Sequence, residues 1–147
     1  MLINFDYYSS VVMIMHNLKI CHINARSIYA SRCHNKLDEL AVVASVHNFV
    51  LCVTESWLSS TVDNSCIPLS GYSEPFRLDR NSHGGGVMAY VKRDLFCTRR
   101  RDLEQPSVEI MWLDFKLTHR NRSLIAVCYQ PQIVLLWIGS CFVCVVL

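Results

Sequence analysis

Charge is scarce in this sequence. Only 18% of the 147 residues are Asp, Glu, Lys or Arg, and the formal net charge is +2. That balance excludes a basic nucleic-acid arm, and a hydrophobic fraction of 52% excludes a disordered chain. No secretory leader is expected of the first residues given: Asp6 stands where a basic region belongs, and the apolar run at 11–15 is too short. The eight cysteines, at 21, 33, 52, 66, 97, 128, 141 and 144, are scattered. Without a leader they do not read as a secreted disulfide framework, and Cys21, Cys52 and Cys128 lie in apolar segments as small hydrophobes. A reduced, intracellular chain is expected. Cys141-x-x-Cys144 has no second pair, no later His and no polar shell, so it is a weak metal signal. Neither internal repeats nor low-complexity segments are present.

What remains is apolar and segmented. The length suits one domain. Residues 1–17 show no clear period. "LKICHINARS" places Leu18, Ile20 and His22 on one face and Cys21 and Ile23 on the other, as a strand running into a loop. "NKLDELAVVASVHN" has Leu37, Leu40, Ala41 and Ala44 at helical spacing, with Asn35 as N-cap and Asp38 and Glu39 in the first turn. "FVLCVTESWL" is a continuous apolar run suited to a strand covered on both faces. The stretch from Ser59 to Gly86 is rich in Ser, Asn, Asp, Pro and Gly and predicts a long loop. "GVMAYVKRDL" predicts a strand with Val87, Ala89 and Val91 on one face. "SVEIMWLDFKL" and "RSLIAVCYQP" predict an antiparallel pair joined through "THRNR". The sum is a mixed α/β (α+β) fold, mostly strand with one early helix.

Polar residues at the ends of apolar strands carry the chemistry. Asn24 ends the first such strand, Glu55 terminates "FVLCV", and Tyr129 ends the last. A carboxylate emerging from a buried strand must be paired, solvated or bound to a cation. An amide oxygen, a carboxylate and a phenol together suit a hard cation and a phosphate oxygen. Other polar features have plainer readings. "NSHGGGV" lacks the Lys-Ser or Lys-Thr and the helix of a phosphate-binding loop, so it reads as a tight turn into a strand. Arg99, Arg100 and Arg101 sit beside Asp102 and Glu104, which favours a solvated loop face over a phosphate contact. Arg77, Asp79 and Arg80 read as loop pairing, and Trp57 and Trp112 as core.

The ordered series "INARSI", "NKLDEL", "TESWL", "IPLSGY", "FRLDR", "GGGVMAYVKRDL", "VEIMWLDF" and "LIAVCYQP" resembles the endonuclease domain of non-LTR (LINE-like) retrotransposons. That domain belongs to the endonuclease/exonuclease/phosphatase family. The resemblance implies a DNase I-like four-layer sandwich, with two mainly antiparallel sheets flanked by helices and the active site at one end. It also implies roles. Asn24 would contact the scissile phosphate and help order the metal site, Glu55 would be the principal ligand of Mg²⁺ or Mn²⁺, and Tyr129 would hydrogen-bond the phosphate. The implied reaction is hydrolysis of a DNA phosphodiester, nicking target DNA for a reverse transcriptase region of the same element, in the nucleus. The resemblance divides the chain into an extension at 1–17, a partial domain at 18–131 and an apolar tail at 132–147.

Two departures shape the expectation. The family's later catalytic groups, an Asp-x-Asn pair and a closing Asp-His, have no counterpart, since no Asp follows Asp114, no Glu follows Glu109 and no His follows His119. The chain therefore corresponds to about the first half of the domain and is expected to be inactive alone, because positioned acid–base groups are worth roughly 10²–10⁴-fold. In addition, "YASRCH" at 29–34 is inserted into the family's wording. The tail is the alternative's only support. As a helix, 133–147 would span ~22 Å against the ~30 Å hydrocarbon core, so a small membrane-associated protein anchored by this segment is the less favoured reading. Sequence foreign to the domain is the favoured account of the tail.

Overall fold

The computed structural model describes the backbone of residues 2–5, 8–15, 18–28, 36–46, 50–129, 137–138 and 141–146, with side chains described inside 18–28, 36–45 and 50–129. The elements in chain order are β1 (Leu2–Phe5), β2 (Tyr8–Met15), β3 (Leu18–Asn24), α1 (Lys36–Val46), β4 (Val50–Thr54), β5 (Phe76–Leu78), β6 (Val87–Tyr90), β7 (Phe96–Arg99), β8 (Ile110–Lys116), β9 (Arg122–Tyr129), β10 (Trp137–Ile138) and β11 (Cys141–Val146). They build two sheets, ordered β1-β2-β3-β4-β6-β5 and β10-β11-β9-β8-β7. Pairing is antiparallel except for β3 with β4 and β11 with β9. The class is α+β, with two mainly antiparallel sheets and few helices.

Alternation in the strands explains how the layers stack. Leu18, Ile20, Val50, Cys52, Val87, Ala89 and Val91 from the first sheet meet Met111, Leu113, Phe115, Ile125 and Val127 from the second, forming a core between the sheets. The intervening residues Cys21, Ile23, Leu51, Val53, Met88 and Tyr90 point the other way, onto Leu40, Val43 and Ala44 of α1 and onto Ile28, Leu58 and Ile67 from loops. β4 is buried along its whole length because both of its faces are covered. In α1 the buried stripe runs through Leu40, Val43 and Ala44, with Leu37 packed beside it and Ala41 exposed. Val43 thus takes the place expected of Ala41. Both positions fit the 3.6-residue repeat, and the branched side chain has more apolar surface to bury. Asn35 and the 29–34 insertion lie outside the described residues.

Three further findings bear on the expected organisation. Residues 1–17, where no period was legible, contribute β1 and β2, and β2 pairs with β3 across Ser10 to Met15. The long middle loop contains a 3₁₀ turn, Asn64–Cys66, and the short strand β5. In the apolar tail, β11 lies parallel to β9, with Cys141 opposite Leu124 and Val146 opposite Tyr129. Among the described residues, no helix is long and apolar enough to cross a membrane.

Two charged residues are held by forked arginine contacts. Arg77 grips Asp79 through Nε (3.1 Å) and Nη2 (2.6 Å), and donates to the carbonyls of Val62 (2.7 Å) and Ser59 (3.1 Å). It therefore staples the middle loop to β5. Asp114, 5% exposed on β8, receives Arg122 at 3.1 and 2.5 Å and Arg100 at 3.7 Å. These contacts supply the partners that a buried carboxylate requires.

His22 is the unusual member of the inter-sheet core. Its Nε2 lies 3.0 Å from Thr54 Oγ1, and Nδ1 is buried with no hydrogen-bond partner among the described residues. Burial pushes its pKa down from 6.5 to about 4. Above pH 6.5 the imidazole is neutral in both folded and unfolded chains, so it adds no pH dependence. Below that value the unfolded chain binds a proton that the folded chain refuses, and stability falls until about pH 4. The loss should approach about 3 kcal/mol at the acid end. Urea unfolding at about pH 7.5 and about pH 5 checks this: His22→Gln should show a smaller acid loss than the wild type.

Candidate functional site

The parallel pairing of β3 with β4 sets Asn24 opposite Thr54, so both strands finish at the same end of the first sheet. The chains leaving them stay bonded: Ala25 N–H donates to Thr54 O (2.9 Å), Ser27 N–H to Glu55 O (2.8 Å) and Ile28 N–H to Ser56 O (3.0 Å). Holding two chains together past their strands demands unusual backbone. Arg26, Ser27, Glu55 and Trp57 all have positive φ, at 46°, 87°, 55° and 53°, and they are the non-glycine residues so placed among those described. Each left-handed residue with a side chain costs about 1–3 kcal/mol and persists only where the surroundings over-determine it.

The carboxylate of Glu55 is oriented by two donors. Gly85 N–H donates to Oε2 at 3.0 Å, and the indole Nε1–H of Trp57 donates to the same oxygen. Oε1 accepts from no group among the described residues. Trp57 was expected as core. It is only half-buried, because its polar edge is engaged in orienting Glu55. Asn24 Oδ1 accepts the Arg26 N–H at 3.2 Å, which fixes the amide at the strand end.

The glycine run turns into β6 as expected, yet its amides do more than turn. Gly85 and Gly86 have φ of 70° and 82°. While Gly85 donates to Glu55, Gly86 N–H donates to Glu109 Oε2 at 3.0 Å. Glu109 lies just before β8 in the second sheet, and its carboxylate also meets Arg80 Nε at 3.3 Å. Its carbonyl accepts Tyr129 N–H at 3.0 Å. Glu55 and Tyr129, from different sheets, are thereby brought to one end of the sandwich. Sequence reasoning missed Glu109. Its one visible signal was a charge standing just before an apolar strand, whereas Glu55 was singled out by standing just after one.

Tyr129 opens onto a cleft of about 750 Å³, whose walls include Arg80, Arg101, Gln105, Ser107 and Glu109. Arg100 pairs with Asp102 at 2.5 Å on an exposed face, whereas Arg99, expected on a solvated loop face, has a side chain only 12% exposed, because its fork is folded onto Glu104 at 2.7 Å and onto the Arg77 carbonyl. Among the described residues, no three His, Cys, Asp or Glu side chains converge as a metal cage. Glu55 has one carboxylate oxygen free of donors among the described residues and Asn24 ends the neighbouring strand, and carboxylate and amide oxygens are the donor types that a small hard cation takes. Mg²⁺ is commonly bound through one or two carboxylates while keeping several waters. In comparison with known proteins, no family model matches the chain and no curated protein matches it.

The glycine turn yields a direct test. A side-chain carbon at Gly86 would lie 2.6 Å from Ser56 Oγ, on a backbone with φ of 82°, whereas one at Gly84 would meet nothing within 4 Å. Gly86→Ala should cost roughly 2–4 kcal/mol of stability, from left-handed strain plus the clash. Gly84→Ala should change stability by about 0.5 kcal/mol at most. Paired denaturation curves of the two variants check the contrast.

Proposed function

We propose that this chain carries the first half of a divalent-metal-dependent endonuclease site of the endonuclease/exonuclease/phosphatase type, as found in non-LTR retrotransposons. The observation that carries this reading is Glu55. It is a carboxylate on a strained left-handed residue at a strand end, oriented by a glycine amide and an indole, with Asn24 ending the parallel strand beside it. Strain of this kind clusters at binding and catalytic sites. The two mainly antiparallel sheets, with Asn24, Glu55 and Tyr129 at one end, are compatible with a DNase I-like sandwich and with the ordered motif series.

In this reading Glu55 Oε1 and the Asn24 amide oxygen hold Mg²⁺ or Mn²⁺. The cation, when bound, stabilises negative charge on the phosphoryl oxygens and the leaving group. The Asn24 amide N–H and the Tyr129 phenol donate to oxygens of the scissile phosphate, fixing the DNA strand. Trp57 keeps the Glu55 carboxylate turned toward the ion. These residues bind and orient, but none of them activates water. With no Asp beyond Asp114 and no His beyond His119, these 147 residues should hydrolyse DNA poorly by themselves.

Cation binding and catalysis are therefore tested separately. Titration with Mn²⁺, followed by quenching of tryptophan emission, should show saturable binding. Glu55→Gln should weaken that binding at least about tenfold, the loss of a charged ligand being worth more than about 1.4 kcal/mol. Binding that survives Glu55→Gln unchanged rejects the metal site. Supercoiled plasmid with Mg²⁺ should stay un-nicked by the chain alone. Nicking that vanishes in Glu55→Ala would support the site while overturning the expected inactivity.

A further inference from the structure

Glu109 belongs to neither the ordered strand-end trio nor any role derived above, yet its contacts join both halves of the site. Its carboxylate accepts Gly86 N–H at 3.0 Å and its carbonyl accepts Tyr129 N–H at 3.0 Å. A side-chain carbon at Gly85 would lie 2.8 Å from both Glu109 carboxylate oxygens and 2.6 Å from Arg80 Cδ. The carboxylate thus lies close against the side-chain face of Gly85, the residue whose N–H orients Glu55. Its side chain is 20% exposed, and Arg80 Nε, 3.3 Å away, holds it from the solvent side.

From these contacts we infer that Glu109 is a positioning residue, one that clamps the Gly85–Gly86 turn of the first sheet onto the second and so sets the Glu55 carboxylate. The inference rests on the proposed cation site for its functional consequence, but the clamp itself is a matter of hydrogen bonds. Gly85 and Gly86 both have positive φ, a conformation open to many alternatives in glycine. The turn needs an external tie to keep one arrangement. Within the first sheet, the ties are Ser56 N–H to Gly86 O (3.2 Å) and Trp57 N–H to Gly85 O (3.1 Å), both using glycine carbonyls. The amide of Gly86 is used by Glu109 alone among the described residues. Releasing it leaves the peptide between the two glycines tied only through the Gly85 carbonyl to Trp57, and any shift of that plane passes through the Gly85 Cα to the preceding peptide, whose N–H faces Glu55.

Glutamine distinguishes a clamp from a second cation ligand. Glu109→Gln keeps an oxygen acceptor for Gly86 N–H and loses the charge, whereas Glu109→Ala loses both. Two readouts on the full chain keep the clamp and the cation site apart. The first needs no metal: ¹H–¹⁵N spectra of the apo protein follow the Gly85 and Gly86 amides. In Glu109→Ala both amide protons should move upfield, Gly85 included although its own acceptor is Glu55, and Glu109→Gln should restore Gly85. The second is Mn²⁺ affinity, which should fall about tenfold in Glu109→Ala and recover to within about threefold in Glu109→Gln, consistent with loss of one charge-assisted hydrogen bond. Thermal unfolding of each variant identifies any that fails to fold, and Glu109→Asp then supplies a shortened acceptor with the charge kept. An unmoved Gly85 amide in Glu109→Ala overturns the clamp. Affinity lost equally in Ala and Gln variants overturns it in favour of a charge role. If the amides respond as expected while the wild type binds no Mn²⁺, the clamp stands and the cation site falls.

Discussion

Two adjacent N–H groups, on Gly85 and Gly86, hold two carboxylates that come from different sheets. This is the contact on which the end of the sandwich depends. Hydrogen bonds to a carboxylate are shorter and stronger than those between neutral groups. Only glycine suits both positions, since each backbone is left-handed and a side-chain carbon would collide with Arg80 and Glu109 at one and with Ser56 at the other. The turn is therefore less a flexible link than a rigid fitting. It aims Glu55 from one side, and through Glu109 it fixes where β9 ends and hence where the Tyr129 backbone lies.

The strained residues make sense beside that fitting. Arg26, Ser27, Glu55 and Trp57 could not hold left-handed backbones if the strands before them were free to shift. They follow β3 and β4, and β4 is buried on both faces between the inter-sheet core and the α1 layer. Close-packed interiors transmit strain instead of absorbing it. Packing of Val50 to Thr54 thus restrains the chain geometry at Glu55. A carboxylate so restrained is pre-organised for a ligand, because little ordering remains to be done when the ligand arrives.

Scarce charge in the sequence has a counterpart in how charge is used. Arg77 with Asp79 and Arg99 with Glu104 form forked pairs that tie strands to the loops beside them, and Arg122 with Asp114 forms one that joins β9 to β8. Arginine is suited to this work, since its planar fork meets both carboxylate oxygens at once. These pairs explain why the arginine-rich wording around 77–80 and 99–101 reads more as architecture than as a binding surface. Glu55 differs in kind. Its donors are a peptide and an indole, so its negative charge is oriented but, among the described residues, meets no arginine or lysine.

The sequence by itself determined much of the frame. Alternating apolar residues in β3, β6, β8 and β9, and the unbroken run in β4, predicted which faces would be buried, because burial follows side-chain periodicity. It also singled out Asn24, Glu55 and Tyr129 as polar groups at strand ends. β1 and β2 pair with the next strand in the chain but show no local period, and β11 pairs with β9, a strand its own sequence does not announce, so none of the three was legible. Trp57 was misjudged as core, as a sequence shows an indole's bulk but not the partner of its N–H. Glu109 was passed over for the same reason. Its place depends on a peptide 23 residues away and on the packing of β8 and β9 against β6 of the other sheet. Local pattern decides which faces turn inward. Which polar atoms meet is decided by long-range closure of the two sheets, and that information exists only in three dimensions.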